Sequence, residues 1–348
     1  MSRLKRAVLA CAKYSGLFRL ARLATRGQLR ILAYHGFERI DESRFRPQMF
    51  QKEATFRRRL SLLRKHGAEV LRLPDAVRRL DTGDLPDLPV VITIDDGWAS
   101  INEVAVPALR EAGMPATVYV TTYYVQRQVP VFGMLVQYLF WKTRCRSVNT
   151  EGIAGLDGRA VDLGDGAARD ALLQQVLAAG AALPSEAARQ ELAAELARRL
   201  QVDHADIVRR RSFTMMSETE LRSLAASNID VQLHTHRHRF TPERLDEAEH
   251  EVVENRSVLQ AMVGGPLEHF CYPSGVWGPE AFPMLERLGI RSSTTCEPGL
   301  VTASTARQAL GRFLDGENIH ALEFEAEVCG FLELLRRAKA WLPGGSAA

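Results

Sequence analysis

At 348 residues, the chain is long enough for one large α/β barrel or for two smaller domains. Its content of 46% hydrophobic and 25% charged residues is typical of a soluble globular protein, and a net charge of +3 is too small to indicate a nucleic acid partner, so none is predicted. No stretch approaches the roughly 18 to 20 apolar residues of a membrane-spanning helix, so no such helix is predicted.

The N-terminal segment, residues 1–29, is basic. Including Arg30, the chain starts with eight Lys or Arg and no acidic residue, interleaved with apolar side chains such as Leu4 and Leu17. We predict a basic amphipathic helix, which either makes peripheral contact with an anionic membrane or packs on the domain as a solvated helix. Its apolar run AVLACA is too short for a secretory signal, so we expect a cytoplasmic protein, at the inner membrane face if the first alternative holds.

Five cysteines are scattered along the chain without any short paired spacing. Such a pattern predicts reduced thiols, and neither a disulfide framework nor a cysteine-ligated zinc site. The sequence carries no indication of the oligomeric state.

Strands and helices alternate along most of the chain, in the order that builds parallel sheets with right-handed crossovers. The first predicted elements are a strand at 30–34, a helix ended by Gly67, a strand at 68–73, a helix at 74–80, a strand at 89–94, a helix ended by Gly113 and a strand at 115–124. The later ones are a helix at 217–227, a strand at 229–233, a helix at 243–262, a strand at 268–273, a helix at 278–289 and a strand at 290–295.

About seven strand and helix units in one array favour an irregular (β/α) barrel of the TIM type, in the α/β class, over two separate domains. The barrel is predicted to comprise residues 30–132 and 212–318, with one long C-terminal helix over 319–348. The alternation stops over 133–211, which is rich in Ala, Leu and Arg. We predict a helical insertion or lid there, and an extra helical layer without a role in the chemistry is the alternative.

The stretch VVITIDDGW, residues 90–98, carries the first candidate site residues. Asp95 and Asp96 follow the most buried strand, and Gly97 permits a sharp turn directly after them. If the strand geometry persists, alternation sends the two carboxylates in opposite directions, which suits one to bind a metal and the other to accept a proton. A turn or a helix cap is the alternative use of such aspartates.

The stretch QLHTHRHRF carries the second group. His234, His236 and His238 follow the predicted strand 229–233 directly. At a spacing of four, His234 and His238 can converge on one metal ion while His236 points elsewhere. A surface tract that binds stray metal is the alternative.

Together, ITIDDG and LHTHRH resemble the first two motifs of the polysaccharide deacetylases, also called the NodB-homology group or carbohydrate esterase family 4. The family patterns are T-F-D-D-G and H-[ST]-x-x-H, and here Ile94 stands where Phe is usual. FCYPSG, residues 270–275, resembles the third motif, and YHGF near the start also matches. The resemblance covers roughly residues 30–315.

This resemblance implies a metal-dependent hydrolase that removes acetyl groups from an N-acetylated sugar in a polysaccharide, glycolipid or precursor. It implies that Asp96, His234 and His238 bind a divalent metal, most often Zn²⁺, with Co²⁺, Ni²⁺ and Mn²⁺ as alternatives. It further implies that Asp95 is the base that takes a proton from the attacking water. The resemblance also implies that a backbone N–H in the third motif, here that of Ser274, donates to the oxyanion.

Two positions depart from the family pattern. Many members have an arginine in the third motif to tune the base, and Cys271 occupies that position here, with Arg312 as a candidate substitute. The late L-x-x-H motif that supplies the general acid has no clear match. His35, at the end of the first strand, is the better candidate for the acid, and His320 is a weaker one.

Two other functions remain as alternatives. The two histidines and one aspartate also suit the facial triad of a non-haem iron oxygenase, although Asp96 lies far from His234 in the sequence. The missing acid motif is also expected of a catalytically inactive homologue that only binds glycans.

Overall fold

The computed structural model describes residues 1–153 and 155–340, and its strands account for the core of the fold. The described residues form β1 (Arg30–Tyr34), β2 (Gly36–Phe37), β3 (Phe50–Gln51), β4 (Glu69–Leu71), β5 (Pro89–Ile94), β6 (Ala116–Val120), β7 (Ser147–Asn149), β8 (Ala160–Asp162), β9 (Ile229–Leu233), β10 (His269–Cys271), β11 (Ser292–Thr294) and β12 (Phe313–Leu314).

The helices follow most of the barrel strands. They are α1 (Arg3–Tyr14), α2 (Leu17–Ala24), α3 (Glu42–Phe45), α4 (Glu53–Lys65), α5 (Leu73–Thr82), α6 (Val106–Ala112), α7 (Tyr123–Arg127), α8 (Phe132–Lys142), α9 (Gly166–Ala182), α10 (Glu186–Arg199), α11 (His204–Arg209), α12 (Glu218–Leu224), α13 (Leu245–Val263), α14 (Phe282–Arg287), α15 (Ala321–Val328) and α16 (Phe331–Ala340). One π-helical turn, Ile101–Ala105, leads into α6.

The contacts divide the chain into two compact units, and the larger contains residues 1–126 and the chain from 216 onwards. Its main sheet has the order β11-β10-β9-β6-β5-β1-β12, with β4 paired to the first half of β5, and every pairing is parallel. Past β11, Ser293 and Thr295 form backbone hydrogen bonds with the segment 307–310 just before β12, which pairs with β1. The sheet therefore curls back towards its first strand, and the predicted irregular (β/α) barrel is confirmed.

The apolar residues of the sequence predict which side chains are buried in this unit. All six residues of β5 are buried, as expected of a parallel strand that is covered on both faces. On α4, Phe56, Leu60 and Leu63 are buried at helical spacing. Helix α12 starts with the predicted capping box, in which Ser217 and Glu220 bond to each other's backbone N–H.

All seven predicted barrel strands are confirmed, and β12 is an eighth strand that was not predicted.

The second unit, residues 127–215, is mainly helical. Its interior contains buried apolar residues from α8, α9 and α10: Leu135, Leu139, Leu172, Val176 and Leu196. An antiparallel hairpin of β7 and β8, which was not predicted, adds to the helices. The bounds of this unit lie a few residues outside those predicted for the insertion, 133–211, and its role as a lid or as an extra layer stays a prediction.

Both predicted terminal helices are interrupted, so the single-helix predictions are wrong. In the N-terminal segment the break lies at Gly16, which has a left-handed φ of 85° and separates α1 from α2. In the C-terminal segment, Gly330 has a φ of 77° and separates α15 from α16. Left-handed backbone favours glycine and ends a helix. The last eight residues of the predicted C-terminal helix, 341–348, lie outside the described residues.

Candidate active site

The candidate site lies where the barrel strands end. His35 directly follows β1, Asp95 and Asp96 follow β5, His234 follows β9, and Cys271 is the last residue of β10. Because parallel strands have their carboxyl ends at one edge of the sheet, residues far apart in the sequence meet there. All of these strands belong to the larger unit.

The two aspartates diverge because the chain leaves the strand geometry between them. Strand β5 ends at Ile94, and Asp96 has a left-handed φ of 72°, followed by Gly97 at 90°. The N–H of Gly97 donates to the Asp95 carbonyl at 2.9 Å, and the Asp96 carbonyl accepts from the N–H of Thr121 at 3.1 Å. The tight turn, and not the predicted strand alternation, gives the carboxylates different surroundings.

Asp96 faces two histidines. Its Oδ1 lies 3.3 Å from Nε2 of His234 and 3.4 Å from Nε2 of His238. One ligand atom from each of these three residues lies within 4.8 Å of the others, a spacing that allows them to share one metal ion. The other carboxylate oxygen, Oδ2, accepts from Trp98 Nε1 at 2.7 Å, which fixes the carboxylate and leaves Oδ1 facing the rings.

The ring of His234 is oriented by the backbone. Its Nδ1 lies 2.7 Å from the Cys271 carbonyl oxygen, which only accepts, so Nδ1 carries a proton and Nε2 is the nitrogen that faces Asp96 and His238 and is left to bind a metal when the ring is neutral. The backbone N–H of His234 donates to Asn255 Oδ1 at 3.0 Å. A metal-binding histidine usually donates its other ring N–H to a carbonyl or a carboxylate, as the His234 Nδ1 does here.

The loop after β9 brings His238 back to His234 without forming a helix. Thr235 and His238 both have left-handed φ values, 62° and 57°. Arg237 fixes the loop, because its backbone N–H donates to Glu251 Oε2 at 2.7 Å. His236 points to another place, with Nδ1 2.7 Å from Thr122 Oγ1. The spacing of four therefore brings two rings together through a turn of the loop.

Asp95 is held by Arg312, the candidate substitute for the missing motif arginine. Nη1 donates to Oδ1 and Nη2 donates to Oδ2, both at 2.8 Å, and both side chains are buried. The guanidinium is itself held by the Thr295 carbonyl at 2.8 Å and by Thr93 Oγ1 at 3.0 Å. A bidentate pair of this kind fixes the direction of the carboxylate as well as its charge.

The pKa values of this group follow from competition between burial and charge. Burial alone raises the pKa of Asp95, but the Arg312 guanidinium and two nearby imidazoles outweigh burial and hold that pKa below its ordinary value. For Asp96, burial is outweighed by the hydrogen bond from His234 and by the charges of neighbouring rings, so its pKa lies well below its usual range. Both carboxylates are therefore ionised near neutral pH.

Cys271 is the contact that sequence reasoning missed. Its Sγ lies 3.5 Å from Asp95 Oδ2 and 3.1 Å from Arg312 Nη2, so it fills the family arginine's place beside the base while Arg312 supplies the charge. Cys271 also forms a second possible metal group with Asp95 and His234. Arg312 engages both oxygens of Asp95, so the group of Asp96, His234 and His238 is the better fit. Sequence reasoning also missed the hydrogen bond from Trp98 to Asp96. The position of Trp98, two residues after Asp96, was the signal that could have predicted this contact.

The remaining predicted residues have different surroundings. Nε2 of His35 lies 3.9 Å from Asp95 Oδ2, and its side chain is partly buried. Ser274 is exposed and has a left-handed φ of 56° in the short 3-10 turn Pro273–Gly275, three residues after Cys271. His320 caps α15, where its Nδ1 accepts from the backbone N–H of Leu322 at 3.2 Å. His35 therefore lies beside Asp95, whereas the His320 ring caps the N-terminus of α15.

The ligand atoms fit a divalent metal. Two imidazole nitrogens and one carboxylate oxygen form a set that zinc uses in catalytic sites, where the remaining positions take water and substrate. The side chain of His238 is 40% exposed, so the group is open on one side. The tautomer of His234 and the fixed Asp96 carboxylate are the features that a metal requires of its ligands.

The family model described as "Polysaccharide deacetylase" matches residues 82–162 and 192–293, just over half of the chain. The chain belongs to the polysaccharide deacetylase family. The predicted family is thereby confirmed, and the chain is a hydrolase that acts on carbon–nitrogen bonds other than peptide bonds. No curated protein matches the sequence.

Solved structures of this deacetylase fold are similar to the chain at low sequence identity. The Streptococcus pyogenes deacetylase PplD in complex with acetate is 15% identical with a TM-score of 0.57, over 87% of this chain and 99% of that one. A de-N-acetylase from Aggregatibacter actinomycetemcomitans is 12% identical with a TM-score of 0.54, over 86% and 99%. IcaB from Ammonifex degensii is 16% identical with a TM-score of 0.52, over 87% and 96%. At these identities the likeness shows the fold.

Proposed function

We propose that this polysaccharide deacetylase removes N-acetyl groups from an N-acetylated sugar in a polysaccharide, a glycolipid or a precursor of either. The observation that carries the proposal is the pairing of two groups at one barrel end. Asp96, His234 and His238 converge within 4.8 Å, and next to them Asp95 is buried and held by Arg312. Two solved structures with the same fold, those of a deacetylase in complex with acetate and of a de-N-acetylase, support the same reaction.

Asp96, His234 and His238 would hold the metal, and zinc is the ion that we propose, with Co²⁺, Ni²⁺ or Mn²⁺ as alternatives. When bound, a divalent ion supplies a Lewis acid that polarises the acetamido carbonyl and makes water more acidic. Trp98 and the Cys271 carbonyl hold the ligands in place, through Asp96 Oδ2 and His234 Nδ1 respectively. These contacts fix two of the three ligands, Asp96 and His234.

Asp95 is the proposed base. Its lowered pKa keeps it ionised, so that it accepts the proton of the water that attacks the amide carbon. Arg312 is a positioning residue: its two hydrogen bonds prevent the buried carboxylate from rotating and stabilise its charge. Cys271 packs against the same carboxylate oxygen as Arg312 Nη2.

His35 is the proposed acid. Its place 3.9 Å from Asp95 puts it on the base side of the site, where it donates a proton to the leaving amine nitrogen as the carbon–nitrogen bond breaks. The backbone N–H of Ser274 is proposed to donate to the oxyanion that forms from the carbonyl oxygen. The products are acetate and the free amine, and water supplies the atoms that both gain.

The metal and the activity are tested together on the purified full-length protein. We expect it to contain about one divalent metal per chain and to release acetate from at least one of a panel of N-acetylated sugars and oligosaccharides. A chelator should abolish the release, and added Zn²⁺ should restore it. A metal-loaded protein that binds such glycans but releases no acetate from any of them would favour the inactive glycan-binding alternative.

Neither the parallel barrel nor the family supports the alternative of a non-haem iron oxygenase.

The cytoplasmic location predicted from the sequence stays part of this proposal. No helix among the described residues is both long enough and apolar enough to cross a membrane. Fractionation of cells that produce the protein measures the location directly, and recovery of the protein outside the inner membrane would contradict it.

A further inference from the structure

The first two helices carry an unusual share of the exposed apolar surface. Among the described residues, twelve large apolar side chains are exposed, and seven of them lie within the first 23 residues. The most exposed include Leu4 at 75%, Leu20 at 60% and Leu23 at 62%. Single exposed apolar residues are common on proteins, but a concentration of this kind marks an interaction site.

These side chains are exposed because the opposite faces of α1 and α2 are already used. Leu9 and Ala12 of α1 and Phe18 of α2 are buried in a cluster with Ala326 and Cys329. On α2, Leu17, Leu20 and Leu23 recur every three residues, so they form one stripe away from this cluster. The inner faces of α1 and α2 therefore pack on the domain, as one of the two predicted alternatives requires. The stripe of Leu17, Leu20 and Leu23 on the outer face of α2 stays exposed.

The charge around this stripe is positive. The first 30 residues contain no acidic side chain, and Lys5 and Lys13 form ion pairs with acidic residues of α15. Arg3, Arg6 and Arg19 are exposed, and no ion pair is formed by any of them among the described residues. Exposed leucines beside unpaired arginines match the chemistry of an anionic lipid surface, which takes apolar side chains below its negative headgroups.

We propose that α1 and α2 form a docking surface for an anionic membrane. This N-terminal surface consists of Leu4, Val8, Tyr14, Leu17, Leu20 and Leu23, with Arg3, Arg6 and Arg19 beside them. The leucine side chains enter the boundary between headgroups and acyl chains, and the arginines pair with lipid phosphates. The positive charge favours lipid over a second copy of the chain, whose own N-terminal surface would carry the same charge.

The N-terminal surface lies away from the candidate active site. Helix α2 ends six residues before β1 starts, and the N–H of Gly27 donates to the Asp87 carbonyl, two residues before β5 starts. His35 and Asp95, by contrast, follow the other ends of these strands. Docking therefore leaves the site open to glycan that extends from the membrane, and substitutions in the surface are expected to spare catalysis on a soluble substrate.

The test is sedimentation of the full-length protein with vesicles of phosphatidylcholine alone or with one third phosphatidylglycerol. We expect binding to the anionic vesicles that weakens as salt is added. Leu20→Glu with Leu23→Glu should lower the affinity by about tenfold per leucine. Arg3→Gln, Arg6→Gln and Arg19→Gln together should lower it by about fivefold per charge. Val253→Glu, an exposed apolar position on α13, is the matched control and should bind like the wild type.

Three results would overturn the proposal: no binding to anionic vesicles, equal binding to neutral ones, or unchanged binding of both variant sets. A wild-type dimer that the leucine variant dissociates, without vesicle binding, would assign the surface to a second copy instead. The result is independent of the proposed reaction, since acetate release by the leucine variant is measured separately and should equal that of the wild type. Circular dichroism confirms that the variants fold.

Discussion

Two buried arginine–aspartate pairs in the barrel unit are both bidentate but have different surroundings. Arg59 holds Asp315 through Nε at 2.8 Å and Nη2 at 3.1 Å, and Arg312 holds Asp95 through two bonds of 2.8 Å. Asp315 also accepts from the neutral amide of Gln51 at 3.3 Å. Asp95 lies instead beside the imidazoles of the candidate active site.

This difference separates a structural ion pair from a candidate base. Burial raises the pKa of Asp315 above its ordinary value in spite of Arg59. At Asp95 the charge of Arg312 and the nearby imidazoles outweighs burial, and the pKa is lowered. The arginine alone therefore does not bring the pKa of a buried carboxylate below its ordinary value, and at Asp95 the surrounding imidazoles add to its effect.

The largest effect is expected when the metal ligands are removed, because they distinguish the surroundings of Asp95 from those of Asp315. His234→Ala should lose bound metal and reduce acetate release to background. His236→Ala is the matched control from the same loop, since its ring contacts Thr122, and it should keep its metal. Metal analysis and an acetate assay give both quantities. Full metal occupancy in His234→Ala would mean that the ion is held elsewhere.

The two arginines are compared directly by Arg312→Met and Arg59→Met. Each change leaves a buried carboxylate without its partner, so both should lower the free energy of unfolding by about 3 to 5 kcal/mol in chemical denaturation. Only Arg312→Met should raise the pKa of Asp95 and move the acidic limb of the kcat/KM profile to higher pH. Identical pH profiles for the two variants would show that Arg312 has only a structural role.

The stability of the Arg312 pair depends on pH in a defined direction. Because the folded pKa of Asp95 lies below its unfolded value, the pair stabilises the fold fully above the unfolded pKa, and this contribution is lost as pH falls through the folded pKa. The difference in unfolding free energy between wild type and Arg312→Met should therefore shrink on acidification, first as Asp95 is protonated at its raised pKa in the variant and further below about pH 4, where the wild type loses its own contribution. A difference that grows there would contradict the assigned direction.

A smaller effect is expected at the proposed acid. His35→Ala should lower kcat by about 100-fold, because the leaving amine then takes its proton from solvent. His320→Ala removes a helix cap and should instead lower stability by about 1 kcal/mol with little change in kcat. Equal kcat values for His35→Ala and the wild type would redirect the search for the acid to His320 or to solvent.

The smallest effect is expected at Cys271, whose Sγ contacts both Asp95 and Arg312. Cys271→Ser keeps a small polar atom near Asp95 Oδ2 and should change kcat/KM by less than about tenfold, below the roughly 10- to 100-fold that is typical when an outer contact is lost. If Cys271→Ser abolished metal binding while His238→Ala retained it, the metal would belong to the group of Asp95, His234 and Cys271.

The elements with strong local patterns were predictable from the sequence. Strand β5 is a continuous apolar run, and DDG and HTHRH are dense groups of chemical side chains directly after strands. The two-residue strand β12 is too short to give a period, and a single glycine such as Gly16 or Gly330 does not by itself predict where a helix breaks.

The partner of the base was harder to predict. Arg312 and Asp95 are 217 residues apart, and no local spacing relates them. The family pattern gave only a departure in the third motif, at Cys271, and the barrel brings a guanidinium from just before β12 to 3.1 Å from the Sγ of that cysteine. Such pairs depend on where strands end in space, which a sequence pattern does not give.

The central claim is that Asp95 is the base, next to a metal held by Asp96, His234 and His238. The substitution Asp95→Asn tests this claim most directly. Metal content, folding and acetate release are measured on the same sample, with Asp315→Asn as the matched control from the other buried pair. We expect Asp95→Asn to fold and keep its metal while kcat/KM falls by about 10²- to 10⁴-fold, and Asp315→Asn to lose stability but stay active. A folded, metal-loaded Asp95→Asn protein that releases acetate at the wild-type rate would contradict the account.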